Sequence, residues 1–431
     1  MAAAPHSAHP SGQSAGAPSQ PWAVWLLAVL AALAFMDRQI LAVLIEPIKQ
    51  EFALTDWQVG LITGLGFSLS FACLALPLSR LADHRPRLPI VVASRALGGT
   101  LAALGALSGN AWALAATRAG GAISDAGAGP ASMSMIADLV APAQRSRAMS
   151  IFTAGNALGS LLALAGGAWL AQRFGWRVTL ACVGLASVSA ALAARWLIRE
   201  PLRGRYAAAG SVAPRLDRGA VHTILADPVA RWLLVGGSFA LLGGYSFGAW
   251  NFTYLVRAHG LSSTSAGLLT GASALASVAG GLLAGSWTDR LVRRDVRWQI
   301  GVPALTLGLA VPCGLAYLAL PPDPWWAICI AVLAFSFFIS GWAAPVYAAL
   351  SLVMQPQHRA TASALLLLSG AVVGSGVGPA LTGALSDGLR VWVGGDGLRW
   401  ALASTVVLLT VAAWALLQAM PAYRQRQGQG R

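Results

Sequence analysis

At 431 residues, with 57% hydrophobic side chains, only 10% charged ones and a mean hydropathy of +0.66, the chain is no soluble globular enzyme, whose charged share is typically about 25%. The net charge of +14 does not make it a nucleic-acid binder, because the basic residues sit in short gaps between apolar runs and form no aromatic-interleaved patch. Composition and pattern together describe an all-α polytopic membrane protein.

Residues 1–21, rich in Ala, Pro, Ser and Gly, lack the basic start of a signal peptide and are expected to form a disordered cytoplasmic tail. Twelve apolar stretches of spanning length follow, each crossing needing about 20 helical residues. The first six are Trp22–Ile45, Trp57–Ser79, Pro89–Ser108, Trp112–Ile136, Met149–Ala171 and Arg177–Leu197. The second six are Trp232–Val256, Thr264–Trp287, Gln299–Leu320, Trp325–Val353, Thr361–Ser386 and Arg399–Met420. An N-terminal bundle (22–198) and a C-terminal bundle (231–420) are thus joined by a basic linker (199–230), with a second cytoplasmic tail at 421–431. Arginines crowd one set of loops, which places both termini in the cytoplasm, as in a bacterial inner membrane protein. Cys73, Cys182, Cys313 and Cys329 lie within apolar runs without CxxC spacing, so neither a disulfide framework nor a metal site is expected.

The first span carries Asp37 and Arg38 at its middle. A charge at that depth costs at least about 2.5–3.5 kcal/mol and belongs in a bundle interior or a water-filled path. Helical neighbours point about 100° apart, so each needs a partner on another helix. The fourth span carries Arg118 and Asp125, two turns apart on one face. At about 1.5 Å per residue, Asp37 and Arg118 share a depth. Asp37 and Asp125 are therefore the candidate proton carriers, and Arg38 and Arg118 the candidate anion ligands. A buried Asp without an Arg neighbour keeps its proton and one beside an Arg releases it, so a changing Asp37–Arg118 contact would couple protons to transport. The same charges also fit a static lock between the first and fourth spans.

The halves repeat. Ser79-Arg80-Leu81-Ala82-Asp83-His84-Arg85-Pro86-Arg87 follows the second span, and Gly285-Ser286-Trp287-Thr288-Asp289-Arg290-Leu291-Val292-Arg293-Arg294 follows the eighth. Gln144-Arg145-Ser146-Arg147 is echoed by Gln357-His358-Arg359. Paired six-helix halves around a basic linker are the pattern of transporters built from repeats. Here the chain resembles the major facilitator superfamily, with the second loop copy the closer match and Ser79, His84 and Pro86 departing from it in the first. Met36-Asp37-Arg38-Gln39-Ile40-Leu41, the Arg118 to Asp125 stretch, and Gly376-Val377-Gly378-Pro379 are similar to its spinster-like branch. The resemblance implies two pseudo-symmetric bundles, alternating access and no covalent chemistry.

Asp83, Arg87 and Arg145, with Asp289, Arg290 and Arg293, are expected to cap helix ends and tie a cytoplasmic gate through acid–Arg pairs. Arg95 reads as a snorkelling residue or gate partner, and Asn110 and Asp138 as boundary residues. With no ionisable group in mid-span, the second half should supply an apolar and aromatic cavity wall from Tyr245, Trp250, Asn251, Phe338, Trp342 and Tyr347. Gly155-x-x-x-Gly159 and Gly374-x-Gly376-x-Gly378-Pro379 are read as close-packing or bending sites. The expected function is secondary transport, proton-coupled, of an amphiphilic or anionic solute, lysolipid-like or an organic acid. An uncoupled facilitator and a non-transporting sensor are the alternatives. No catalytic constellation or nucleotide loop stands in the sequence, so no enzyme activity and no cofactor are expected, and a monomer is.

Overall fold

In lipid every backbone N–H and C=O must be satisfied within the chain, which for these apolar runs means helix. The computed structural model describes residues 20, 22–141, 144–203, 205, 220–355 and 358–429. The expected tail at 1–21 and the middle of the linker lie largely outside the described residues. Helix α1 is Ala23–Phe52, α2 Asp56–His84, α3 Arg87–Gly105, and α4 Ala111–Gly121 with Ile123–Leu139. Helix α5 runs through Arg145–Leu161 and Leu162–Gly166 to 174, where Gly175 (φ 81°) turns the chain into α6, 176–197. The second half holds α7 (Pro228–His259), α8 (Ser263–Val292), α9 (Trp298–Ala319) and α10 (Trp325–Ile339 with Ala343–Val353). Helix α11 comprises Arg359–Ser369, Gly370–Val377 and Gly378–Val393, and α12 is Gly397–Gln429. Nine stretches of the described residues are long and apolar enough to cross a membrane, the longest of them, 51 and 66 residues, each containing a reversal between two of these helices.

Helix starts follow their caps. Thr55 and Gln58 form a reciprocal capping box on α2, Asn110 Oδ1 accepts from Ala113 N at 2.8 Å, and Asp227 Oδ1 accepts from Val229 and Ala230 N with Pro228 in the first turn. Beyond Met420 α12 continues to Gln429, held by the buried Tyr423 and by the Arg426–Asp227 ion pair. Gln20, Arg199, Asp227 and Arg426 mark one face of the molecule, the terminal face, and the α1–α2 and α7–α8 turns mark the opposite, distal face.

Within the first half α5 lies directly on α1. A Cβ added at Gly155 would stand 2.4 Å from the Ala28 carbonyl oxygen, and one at Gly159 2.1 Å from that of Ala32. The repeated glycine is therefore a packing site, as its spacing predicts. Gly159→Ala is expected to cost at least about 2 kcal/mol by overpacking and to lower the unfolding temperature of the purified protein. Gly308→Ala in α9, where nothing lies within 4 Å, serves as the control and should be neutral.

The halves meet along α1 and α7, α2 and α11, and α5 and α8. At these seams α2, α5 and α11 each contain a π-helical stretch, Leu61–Leu65, Leu162–Gly166 and Gly370–Val377. Such wide turns bend a helix and frequently occur at functional sites. The glycine-rich stretch of α11 is thus both bent and closely packed.

Candidate functional site

One face of α1 builds the chamber between the halves. Phe35, Arg38, Gln39, Ala42 and Ile45 recur at helical spacing and line a 520 Å³ cavity, opposed by Gly244, Tyr245, Gly248 and Ala249 of α7 and by Trp342. A second cavity of 470 Å³ shares Phe35, Gln39 and Ser277 with the first and extends between α5 and α8. Both volumes suit a small organic ligand.

Asp37 points the other way, into the first half. Arg118 Nη1 of α4 donates to its Oδ1 at 3.1 Å, and both side chains are buried. The shared depth read from the sequence places them together. Because α1 and α4 belong to the same half, rigid rocking of the halves does not by itself separate this pair.

Asp125 does not pair with Arg118, the partner its helical face suggests. Arg95 of α3 lies 3.5 Å from Asp125 Oδ1, is buried, and also donates to Ser124 Oγ at 2.8 Å. Arg95 is neither a snorkelling residue nor a gate partner. Its position toward the terminal end of α3 matches that of Asp125 in depth, and this arithmetic was the available signal.

Counting Arg95 changes the charge of the site. Three guanidiniums, of Arg38, Arg95 and Arg118, stand with two carboxylates, of Asp37 and Asp125, where two against two were expected. Arg38 is the uncompensated member. Its guanidinium lies 5.4 Å from the ring centroid of Phe67 and 5.3 Å from that of Tyr245, and no carboxylate pairs with it among the described residues. Ring faces hold a cation without neutralising it. Arg38 also lines a third cavity with Phe67, Tyr245 and Tyr347.

The aromatic expectations divide. Tyr245, Trp342, Tyr347 and Asn251 line the cavities. Trp250 is 0% exposed, and its Nε1 donates to the Pro379 carbonyl at 3.0 Å, so it packs within the second half. Phe338 packs against Phe337 at a centroid distance of 5.3 Å and lines none of these cavities. Five residues of helix separate Tyr245 from Trp250, about 140° of rotation, which turns one toward the chamber and the other away.

Toward the distal face the halves are sealed. Arg257 of α7 reaches Asp56 through Nη1 at 3.0 Å and Glu46 through Nε at 2.7 Å, and Lys49 also pairs with Asp56. Asp387 at the distal part of α11 accepts from the backbone N–H groups of Asp56 (3.1 Å) and Trp57 (2.7 Å), and Ser386 Oγ donates to Asp56 at 2.7 Å. Deeper in the same seam, Ser68 and Ser375 share a hydrogen bond of 2.8 Å.

Among the described residues nothing comparable joins the expected terminal gate. Asp83, Asp289, Arg290 and Arg293 are exposed and form no ion pair among the described residues. Arg145 Nε donates to the Ala137 carbonyl at 3.1 Å within its own half. Arg87 is buried inside the first half, with Nη1 at 2.6 Å from Asp138 Oδ2 and Nε at 3.0 Å from Glu200 Oε1. It is a lock within one bundle, and Asp138, at the end of α4 as expected, is its buried partner.

The sequence profile of the Major Facilitator Superfamily matches residues 27–379 and 251–431. An MFS-type efflux pump of Mycolicibacterium smegmatis (strain ATCC 700084 / mc(2)155) is 35% identical over 407 residues, 94% of this chain and 92% of its own length. A probable L-galactonate transporter of Escherichia coli (strain K12) is 26% identical over 285 residues, 64% of this chain and 62% of its own. Among crystal structures, a bacterial homologue of the human lysosomal transporter Spinster, inward-facing and unoccupied, superposes with a TM-score of 0.81 at 25% identity, covering 94% of this chain and 98% of that one.

Proposed function

The chain belongs to the major facilitator superfamily, in its spinster-like branch, and is a multi-pass membrane transporter, and on that premise we propose that it moves a small organic anion by proton-coupled alternating access. The observation that carries the anion is Arg38, an uncompensated guanidinium facing a chamber at membrane depth. A guanidinium there is costly unless a counter-charge meets it, and its planar fork suits carboxylate or phosphate. The ligand completes the charge balance of the site.

Asp37 and Asp125 are the proton-holding groups of this reading. Protonation of either raises the positive charge of the network and strengthens its hold on an anion, which couples the two cargoes through electrostatics alone. Under the arginine rule the terminal face is cytoplasmic, and a sealed distal face together with Asp83, Asp289, Arg290 and Arg293 that form no ion pair among the described residues supports reading this as an inward-open state in a bacterial inner membrane. Asp83, Asp289, Arg290 and Arg293 then serve as closing contacts in the opposite state.

The test is flux in proteoliposomes, using a panel of carboxylates and phosphate-bearing solutes with and without a pH gradient. Arg38→Gln is expected to weaken transport of the anion by about 30-fold or more, the equivalent of roughly 2 kcal/mol for a truncated charge-assisted contact, with Arg38→Lys intermediate. Asp37→Asn should abolish gradient-driven flux and spare exchange of preloaded anion. Gradient-independent flux unchanged by Asp37→Asn would leave an uncoupled facilitator. Transport of a neutral solute and of no anion would sink the proposal.

A further inference from the structure

The last turn of α7 carries Arg257 of the distal seal and, two residues on, a histidine that the transport site does not use. Arg257 reaches across to Asp56 and Glu46 of the first half, whereas His259 packs against its own half. Its ring meets that of Tyr254 edge-on at a centroid distance of 5.3 Å and lies tilted to that of Tyr317 on α9 at 6.1 Å. The helix ends there, because Gly260 takes the left-handed conformation (φ 64°) and its N–H closes on the Leu255 carbonyl.

This aromatic clamp holds the ring by packing alone. His259 is 9% exposed, and neither Nδ1 nor Nε2 has a hydrogen-bond partner. Both phenols have spent their protons elsewhere, Tyr254 on the Leu318 carbonyl at 3.1 Å and Tyr317 on Asn251 Oδ1 at 2.7 Å. A neutral imidazole buries one unpaired N–H in this position, while an imidazolium would bury two and a charge. The clamp therefore accepts only the neutral ring.

The surrounding charges oppose protonation in place as well. The cations of this corner are Arg257 on α7 and Arg399 on α12, and its carboxylate is Asp396 in the turn before α12. Asp396 lies 3.8 Å from Arg399, and no acid pairs with His259 among the described residues. The other titratable groups are the two buried phenols and the Cys329 thiol of α10, which acts on Tyr317.

A second position stands beside the clamp. His259 borders a cavity of 460 Å³ at the distal face, whose wall includes Arg257, Asp396, Arg399 and the end of α9 at residues 319–322. The Asp396 side chain is 57% exposed, so a ring turned into this cavity gains water and a carboxylate, the two things an imidazolium lacks in the clamp. Arg257 leaves from the same helical turn, and re-seating the ring displaces the base of the seal.

We propose that His259 is a proton-binding site of the distal face: the neutral ring anchors the last turn of α7 in the aromatic clamp and maintains the seal, and protonation turns it into the distal cavity and loosens the seal. This site is separate from Asp37 and Asp125 and does not depend on the nature of the cargo. The linkage has one sign. The sealed state holds this proton less well than the unsealed one, so acid at the distal face favours opening. The advantage of the sealed state is complete above the ordinary histidine value of about 6.5 and falls by up to about tenfold one pH unit below it.

The test uses the full-length protein in lipid nanodiscs, with spin labels on the distal ends of α1 and α7 and distances measured at about pH 7.5 and about pH 5.5. The distal-open fraction of the wild type should rise by up to about tenfold between them. The carboxylates of the seal do not supply that change, since ordinary acids titrate near pH ~4. His259→Phe fills the clamp with a ring that cannot titrate, and should hold the fraction within about twofold. Arg399→Gln removes a like charge and should move the midpoint to higher pH, a shift that a purely structural role of His259 would not produce. A wild type without acid-driven opening would overturn the proposal. So would a His259→Phe variant that opens as the wild type does, the result expected if Asp37 or Asp125 carries the whole response. Should His259→Phe fail to fold, an unmoved midpoint in Arg399→Gln would overturn it instead.

Discussion

Arg87→Ala is expected to prevent accumulation of folded protein, or to lower its stability by about 3–5 kcal/mol, the usual result of stripping one partner from a buried ion pair. Arg87 is 1% exposed and binds far more than one carboxylate. Its Nη1 donates to Asp138 Oδ2 at 2.6 Å, Ser134 O at 3.1 Å and Ser134 Oγ at 3.0 Å, and Nη2 donates to Pro201 O at 3.1 Å. Glu200, its second partner, accepts from the backbone N–H groups of Arg87 at 3.1 Å and Leu88 at 2.6 Å, and so caps α3 with a negative charge. One side chain thus ties the start of α3, the end of α4 and the segment after α6. Removing it takes from the buried Asp138 its Arg87 ion pair. The double variant Arg87→Met with Asp138→Leu should recover only part of the loss, because it removes the desolvation penalty of that pair while Glu200, Ser134 and Pro201 still lose their bonds to Arg87. Thermal unfolding in detergent measures both. If Arg87→Ala unfolds at the wild-type temperature, the lock contributes nothing and the account fails.

Arg257→Ala should shift the conformational equilibrium toward a state open at the distal face, by about 2 kcal/mol or roughly 30-fold. The Arg257 fork spans the halves, meeting Asp56 at 3.0–3.1 Å through both terminal nitrogens and Glu46 at 2.7 Å through Nε. These contacts exist only while the distal side is closed, so their loss destabilises that state alone. Lys49 lies on α1 in the same half as Asp56, and it neutralises Asp56 without bridging the halves. Arg257→Lys keeps the charge and loses the bidentate geometry, and should fall between. Spin labels on the distal ends of α1 and α7 report the change as a longer distance population. An unaltered distribution in Arg257→Ala would show that the helix crossings, not the ion pairs, hold the seal.

What the sequence alone determined is the part governed by position along a helix. Apolar length located the spans, and rise per residue brought Asp37 and Arg118 to one level, where they meet at 3.1 Å. Gly155-x-x-x-Gly159 announced a close helix contact because lacking a Cβ has that consequence wherever a neighbour lies.

Only the tertiary structure decided what depends on rotation about a helix axis and on which helices are neighbours. Asp125 chose Arg95 over Arg118 because α3 packs on α4 at that level. Asp138 became a buried partner because Arg87 enters from α3, and Trp250 turned into its own bundle while Asn251, one residue on, faces the chamber. Depth is additive along one chain segment, so a sequence carries it. Azimuth is set by the packing of several helices at once, and no single segment contains it.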